Sequence, residues 1–306
     1  MIGQPSLVPS SLSLGFLMTV GVLAAGCVNI SAGNGRYTDR EEKRFTVEGK
    51  PDLKLRTADG SIEIRSWDSP DVLVVVEKRA FAKEAAAAIT MTSDQEANHI
   101  SVDVKMPSEQ VFGWFVGGFG GVKVTVSLPA ASDVQAATGD GSIFLESVRG
   151  VISLRSGDGS IRARGVSGSI AARSGDGSIR LEDVTGTVDA NTNDGSIAVA
   201  GVLSNVRARS GDGGIGVRAQ SGSKAEADWE IASGDGGVRL ELPESFGADL
   251  DARTGDGGIQ FDGVTLSNVT GQFGRNRANG RLGEGGHALR VRTGDGAILI
   301  RRINGQ

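Results

Sequence analysis

Between residues 140 and 212, short apolar pairs alternate with polar turns at a constant interval. In the first four of these repeats, counted from the aspartate of the turn, apolar residues fall at positions +3, +5, +8, +12 and +14. In the second repeat these positions hold Ile161, Ala163, Val166, Ile170 and Ala172. The pairs at +3/+5 and +12/+14 have the period of two that marks a strand with one buried face. Each repeat therefore predicts two short strands and two turns.

The acidic turn sets the length of this repeat. Five aspartates follow one another at intervals of 18 residues, and three later copies are spaced by 23, 21 and 39 residues. The regular series is Asp140, Asp158, Asp176, Asp194 and Asp212, the later copies are Asp235, Asp256 and Asp295, and an isolated earlier copy contains Asp59. Two strands and two turns per repeat are typical of a β-solenoid, whose stacked coils bury a continuous apolar column. We predict an all-β fold, a β-solenoid of 18-residue coils over residues 131–306; a compact β-sandwich is the alternative, but it does not require a fixed phase.

Residues 44–130 do not follow the 18-residue period, although they contain several runs with strand-like alternation. The alanine-rich stretch 79–89 favours a short helix. An open end of a solenoid is an unpaired edge that needs a cover. We therefore expect a β-rich N-terminal section over 44–130 that leads into the solenoid and caps its first coil.

The repeated aspartates admit two interpretations. In the structural one, the glycines of each turn permit positive φ, and the aspartate accepts hydrogen bonds from nearby backbone amides. Stacked carboxylates repel one another, and an arginine three residues earlier in several repeats is expected to compensate them. These arginines are Arg155, Arg173, Arg209, Arg253 and Arg292. The alternative is a column of calcium sites along Asp140, Asp158, Asp176, Asp194 and Asp212, although calcium-binding repeats use a denser glycine-rich pattern.

Two stretches interrupt the strand pattern. The first, 111–122, places aromatic residues among glycines: Phe112, Trp114, Phe115 and Phe119. It is either an exposed loop that contacts lipid or a partner, or a lid over the end of the solenoid. The second, 264–288, is polar and glycine-rich and contains Arg275, Arg277 and Arg281. We expect a long loop or irregular coil there, with ligand contact as the alternative.

Composition and charge narrow the functional classes. The chain carries 47 glycines and a net charge of −5, which argues against a nucleic-acid-binding protein. The repeated motif GDGSI does not supply the glycine spacing of a P-loop or of a dinucleotide fingerprint. The sequence contains no nucleophile elbow, and neither His99 nor His287 has a metal ligand at a known spacing. We therefore assign no catalytic residue, no cofactor and no metal as the main interpretation.

The N-terminus has the features of a lipoprotein leader. An apolar run at 12–25 ends in Ala25-Gly26 directly before Cys27, the one cysteine of the chain. Its length suits a signal peptide better than a membrane span. The pattern departs from a lipobox at Ala24, and residues 1–35 contain no lysine or arginine. We predict a signal peptide over 1–26, a lipidated Cys27 and a polar flexible tether over 27–43; an ordinary cleaved signal or a single membrane anchor is the alternative.

Four segments of the chain carry a family resemblance: ADGSIEIRSWDSPDVLVVV at 58–76, VKVTVSLPA at 122–130, the Gly-Asp-Gly series from 138, and GEGGHALRVRTGDGAILI at 283–300. Together they resemble the bacterial DUF4097 family of adhesin-like envelope proteins. The resemblance covers about residues 44–306 and implies a β-solenoid exported to the cell envelope. It implies no catalytic residues.

The functional expectation is a non-enzymatic, lipid-anchored envelope protein with an adhesin-like binding or scaffold role. Its expected partners are the membrane, through Cys27, and a glycan or protein ligand. Because Val28 stands where lipoproteins retained in the inner membrane often carry Asp, the outer membrane or cell surface is favoured. The alternatives are an enzyme that acts on envelope polysaccharide and an envelope-stress sensor.

Overall fold

The all-β prediction is confirmed in a computed structural model, which describes residues 31–33, 36–106, 119–269 and 274–303. These ranges contain one short helix, α1 (Lys83–Ala88). The strands are β1 (Ser31–Gly33), β2 (Arg36–Phe45), β3 (Asp52–Thr57), β4 (Gly60–Trp67), β5 (Val72–Ala80), β6 (Thr90–Glu96), β7 (His99–Lys105), β8 (Phe119–Pro129), β9 (Asp133–Thr138), β10 (Ile143–Glu146), β11 (Arg149–Ser156), β12 (Ile161–Arg164), β13 (Ser167–Ser174), β14 (Ile179–Thr192), β15 (Ile197–Ser210), β16 (Ile215–Ala219), β17 (Trp229–Ser233), β18 (Val238–Pro243), β19 (Ala248–Thr254), β20 (Ile259–Asp262), β21 (Arg277–Leu282), β22 (Ala288–Thr293) and β23 (Ile298–Ile303).

Two parallel ladders of ten strands each organise the molecule. The A ladder holds β7 and the strand before each of the nine acidic turns, in the spatial order β7, β3, β9, β11, β13, β14, β15, β17, β22, β19. The B ladder holds β8 and the strand after each turn, in the order β8, β4, β10, β12, β14, β15, β16, β18, β23, β20. One A strand and the B strand that follows it form a layer. Strands β14 and β15 are long because each completes one layer and begins the next.

Equivalent positions of the repeat stack on one another. Ile161 pairs with Ile179, and Ile152 pairs with Ile170, so the offset between neighbouring layers equals the period in the sequence. Side chains at the inward positions, such as Ile161 and Ala163, are fully buried. The period of two therefore places one apolar column inside each ladder, and it leaves the alternate side chains on two outer faces.

The layers at both ends do not follow the order of the sequence. The layer formed by β3 and β4 lies between β7–β8 and β9–β10. At the other end, β22 and β23 lie between β17–β18 and β19–β20. The isolated acidic turn at Asp59 is thus a layer of the stack, and the sequence separation of 39 before Asp295 reflects an excursion of the chain to the outermost layer and back.

Antiparallel strands cover the ends of the ladders. Strand β5 pairs with β8, β2 pairs with β5, and β6 pairs with β7 at the first end. The predicted tether over 27–43 is therefore shorter than expected, because Tyr37–Phe45 pair with Val72–Ala80. At the last end, β21 pairs with β19, so the segment 264–288 includes a strand where a loop or irregular coil was expected.

The Gly-Asp-Gly turns are locked by a buried hydroxyl rather than by positive φ. Ser174 Oγ accepts a hydrogen bond from the Gly177 amide at 3.1 Å and donates one to the Gly159 carbonyl of the next layer at 2.9 Å. A Cβ on Gly159 would lie 2.1 Å from the Gly141 carbonyl oxygen. The prediction of positive φ at these turns is wrong, because the positive values belong to the opposite turn, as at Gly168 with φ 116°. Close stacking of successive turns is what requires glycine here.

Candidate functional site

The repeated aspartates form an exposed column along one edge of the molecule. In register, Asp158 follows Asp140, because the strands on either side of the turn pair with an offset of 18 residues. All nine turn aspartates are exposed, and within the described part of the chain none of their carboxylates has a hydrogen-bond or ion-pair partner. The expected bonds from turn amides to these carboxylates are therefore absent there.

The predicted arginine compensation is also wrong, because these arginines lie on the outer face of the A ladder, where four of the five pair with acids of that face. Arg173 pairs with Asp189 at 3.0 Å, and Arg209 pairs with Glu230 at 2.8 Å. Arg253 and Arg292 both contact Asp251. Among the described residues, Arg155 makes no ion pair. The side chain three residues before the aspartate points to the outer face of the A ladder rather than toward the turn.

No metal or catalytic cluster emerges from the described residues. Within them, no group of three His, Cys, Asp or Glu side chains is placed to hold a metal ion. His99 and His287 contact separate aspartates, Asp52 at 2.9 Å and Asp228 at 3.8 Å, in layers at opposite ends of the stack. The calcium column along Asp140, Asp158, Asp176, Asp194 and Asp212 stays a prediction.

Cys27, the predicted site of lipidation, lies outside the described residues, as do three residues of the aromatic stretch, Phe112, Trp114 and Phe115. Phe119 is the first residue of β8, where its backbone pairs with Ala80. Within the described ranges, no helix has the length and hydrophobicity of a transmembrane segment.

The outer face of the B ladder contains a depression that the sequence patterns did not indicate. In register across four strands lie Arg180, Ala198, Gly216 and Arg239. The two arginines are separated by three ladder spacings, about 14 Å. Between them the outward side chains are only the methyl group of Ala198 and the hydrogen atom of Gly216. We call this depression the trough; its volume is about 250 Å³.

Gly216 lies at the centre of the trough floor, and its packing does not require glycine. A Cβ built there meets no heavy atom within 4 Å, and its φ is not positive. Gly159 is the opposite case, since a Cβ there collides with a carbonyl oxygen. Glycine inside a strand weakens the strand and often marks the close approach of a ligand or another backbone. The missing side chain at Gly216 therefore opens space rather than relieving a clash.

Charged side chains form the two walls of the trough. On one side Arg180 pairs with Glu182 at 3.5 Å, and on the other Arg218 pairs with Glu241 at 3.5 Å. Arg239 is exposed and has no ion-pair partner within the described residues. The five charged residues that line the trough, three arginines and two glutamates, sum to one positive charge. The site thus offers an apolar floor, paired donors and acceptors, and one uncompensated guanidinium.

A longer groove of about 740 Å³ continues from the trough along the B ladder. One exposed serine from each of five consecutive layers lines it: Ser61, Ser142, Ser160, Ser178 and Ser196. Arg162 and Phe144 lie beside them, and Arg65 stacks over the Phe144 ring at 5.3 Å. At the far end, a hydrogen bond from Lys123 holds the pKa of Glu63 below its ordinary value. The serines follow one another at the ladder spacing of about 4.8 Å, and the Ser196 hydroxyl donates a hydrogen bond to Ser178 Oγ at 3.3 Å.

The comparisons with known proteins identify a family and a set of solved structures. The family model described as Toastrack DUF4097 matches residues 50–301. A "putative adhesin" of Bacteroides fragilis is 12% identical, with a TM-score of 0.47 and coverage of 86% of this chain and 97% of that chain. A "putative cell adhesion protein" of Clostridium sporogenes is 14% identical, with a TM-score of 0.30 and coverage of 86% and 100%. A "putative lipid binding protein" of Parabacteroides distasonis is 10% identical, with a TM-score of 0.35 and coverage of 86% and 96%. No curated protein matches the chain.

Proposed function

Because the chain belongs to the DUF4097 family, we propose that it is a non-enzymatic, lipid-anchored protein of the cell envelope with an adhesin-like binding role. The single observation that carries the binding role is the trough, where Ala198 and Gly216 lie between Arg180 and Arg239 on the outer face of the B ladder. Small ligands bind in concave sites with an apolar lining and a few placed polar groups. The trough has these features on a rigid sheet.

We propose further that the two ladders form a β-solenoid that serves as the scaffold of this site. The support is the stacking of equivalent residues at the offset of the repeat, as between Ile161 and Ile179. Hydrogen bonds along the stack and the buried hydroxyls between turns hold successive layers in one register. A ligand that spans several layers would therefore meet a fixed array of side chains, with little ordering of the protein on binding.

The anchor of this proposal is Cys27, which would attach the protein to the membrane. From Cys27 to the first residue of β2 the chain spans nine residue steps, at most about 32 Å when extended. The first layers of the scaffold would then stand close to the membrane, and the trough would lie several layers further out. We favour the outer membrane or the cell surface for this arrangement.

Protease treatment of intact cells tests the location. A tag is added after Gln306, and its loss is followed by immunoblot before and after the envelope is opened. Removal of the tag from intact cells supports a surface-exposed binding protein, whereas protection until the envelope is opened contradicts surface exposure. The variant Cys27→Ser is the matched control for the anchor, and on cell fractionation it should appear in the soluble fraction instead of the membrane fraction. Retention of that variant in the membrane would contradict lipid anchoring.

A binding measurement tests the role. The purified chain is incubated with isolated envelopes, and the sedimenting fraction is compared for the wild type and Gly216→Val. We expect the wild type to sediment and the variant to remain in the supernatant. Equal sedimentation of both would contradict the trough as the binding site. Release of new reducing ends from envelope polysaccharide would contradict a non-enzymatic role.

A further inference from the structure

We infer that the trough binds one acidic pyranose residue, a hexuronate, within a linear glycan. This inference rests on the proposed binding function and names its ligand class. The volume of about 250 Å³ lies just below the range of typical small-molecule pockets, about 300–1,000 Å³. It therefore suits a single ring rather than a larger ligand.

The floor selects a ring with a flat apolar side. Ala198, Gly216 and Ala200 present methyl groups and backbone, and they are partly exposed. The C–H face of a pyranose can lie on such a floor and exclude water from it. A bulkier side chain at Gly216 would occupy the position of the ring, which explains why a strand interior carries a glycine without steric need.

The walls select a ring with hydroxyl groups at its edge. Arg180 and Arg218 each lie beside a glutamate, so donors and acceptors alternate around the floor. A sugar hydroxyl donates and accepts at once, and such pairs can bind it from both sides. An apolar ring without hydroxyls would leave these charged groups unsatisfied as it excluded water from them.

The uncompensated charge selects an acidic sugar. Arg239 has no ion-pair partner within the described residues, and its strand neighbour in register is Gly216. A guanidinium binds a carboxylate through two parallel hydrogen bonds. The net charge of the lining is one positive, whereas that of the whole protein is −5. A hexuronate supplies one carboxylate and balances the site.

The adjoining groove accounts for the remainder of a linear glycan. It begins at Arg180 and Ala198, which also line the trough, and it continues past Ser178 and Ser160. Sugar units next to the bound ring would meet these serine hydroxyls in succession. Repeated weak contacts of this kind add to the affinity of the single ring.

The test measures binding of the purified full chain to an oligouronate and to a neutral oligoglucose of equal length, by calorimetry or saturation-transfer NMR. We expect the oligouronate to bind at least tenfold more tightly than the neutral chain. Arg239→Gln should remove that preference, and added salt should weaken it. Equal affinity for both sugars, or an unchanged preference in Arg239→Gln, would overturn the acidic-sugar assignment.

Gly216→Val tests the floor independently of charge. It should reduce oligouronate affinity at least tenfold without lowering the midpoint of thermal unfolding, because space is free at this position. The matched control is Ala171→Val, an outward residue of the A ladder, which should leave affinity unchanged. Full affinity in Gly216→Val would overturn the site. Wild-type protein that sediments with envelopes but binds no oligouronate would overturn this inference and leave the proposed function standing.

Discussion

Ser174 and Gly159 are joined across the boundary between two layers by a hydrogen bond of 2.9 Å from the serine hydroxyl to the glycine carbonyl. The same contact recurs along the stack, with Ser or Thr as donor and the second glycine of the neighbouring turn as acceptor. The donors include Thr138, Ser156, Thr192, Ser210, Ser233, Thr254 and Thr293. The Ser or Thr hydroxyl, and not the aspartate, therefore forms the recurring side-chain hydrogen bond between successive turns.

Removing one of these hydroxyls should destabilise the protein. We expect Ser174→Ala to cost about 1–3 kcal/mol, because it leaves the Gly159 carbonyl and the Gly177 amide buried without a partner. The matched control is Ser160→Ala, at an exposed serine two residues after the turn aspartate, which should change stability by less than about 0.5 kcal/mol. Urea unfolding followed by circular dichroism measures both, and similar midpoints for the two variants would disprove the assignment.

The two classes of glycine should respond in opposite ways to alanine. Gly159→Ala places a methyl group against a carbonyl oxygen and should cost about 1–3 kcal/mol through overpacking. Gly216→Ala meets no atom and should stabilise the strand by about 0.5–1 kcal/mol. Thermal melts of the two variants provide the comparison. A loss of stability in Gly216→Ala would indicate that the backbone there needs glycine.

The aspartate column should oppose folding slightly. In the double variant Asp158→Asn/Asp176→Asn, two exposed and unpartnered carboxylates become neutral. We expect stability to stay the same or to rise by up to about 1 kcal/mol at low salt, because adjacent like charges repel. The gain should shrink as salt is added. A clear loss of stability, or a melting point of the wild type that rises with calcium but not with magnesium, would favour the calcium-column hypothesis.

Acid should weaken the A face through Glu230. A hydrogen bond from Arg209 holds the pKa of Glu230 below its ordinary value of 4.5, and the nearby arginine charges act in the same direction. The ionised form is therefore the one that the folded state favours, so its contribution is complete above that value and is lost as pH falls through the lower folded pKa. Glu230→Gln should flatten the fall in unfolding midpoint below pH 4.5. Glu96→Gln, at an exposed position of β6, is the control, and an equal flattening there would contradict the role of the Arg209 contact.

The repeat pattern predicted the register of the central layers, because the buried apolar positions recur every 18 residues and the strands pair with the same offset. Ile161 and Ile179 occupy equal positions in consecutive repeats, and they pair directly. The order of layers at the ends was not predictable in this way. Any layer can pair with any other through the same backbone hydrogen bonds. The alternation of apolar and polar residues in β3 and β4 therefore fits the outermost layer as well as the layer next to it.

The site was missed for a related physical reason. At the level of sequence, Gly216 resembles the many other glycines of the repeat, and only the free space around its Cβ position separates it from Gly159. The burial of Ser174 follows from the contact between layers, which the pattern of a single repeat does not show. Closeness in sequence suggests that Arg173 pairs with Asp176, but alternation along the strand turns its side chain toward Asp189.

The out-of-order layers at the two ends leave the middle of the molecule as the region where its length can change. Duplication of one 18-residue segment between Asp140 and Asp212 would lengthen the protein by about 4.8 Å and keep both ends intact. A duplication near either end would instead insert a layer among strands whose order in the stack differs from their order in the sequence, and it would separate strands that now pair directly. Relatives of different length should therefore differ by whole central repeats and should keep the same order of layers at both ends.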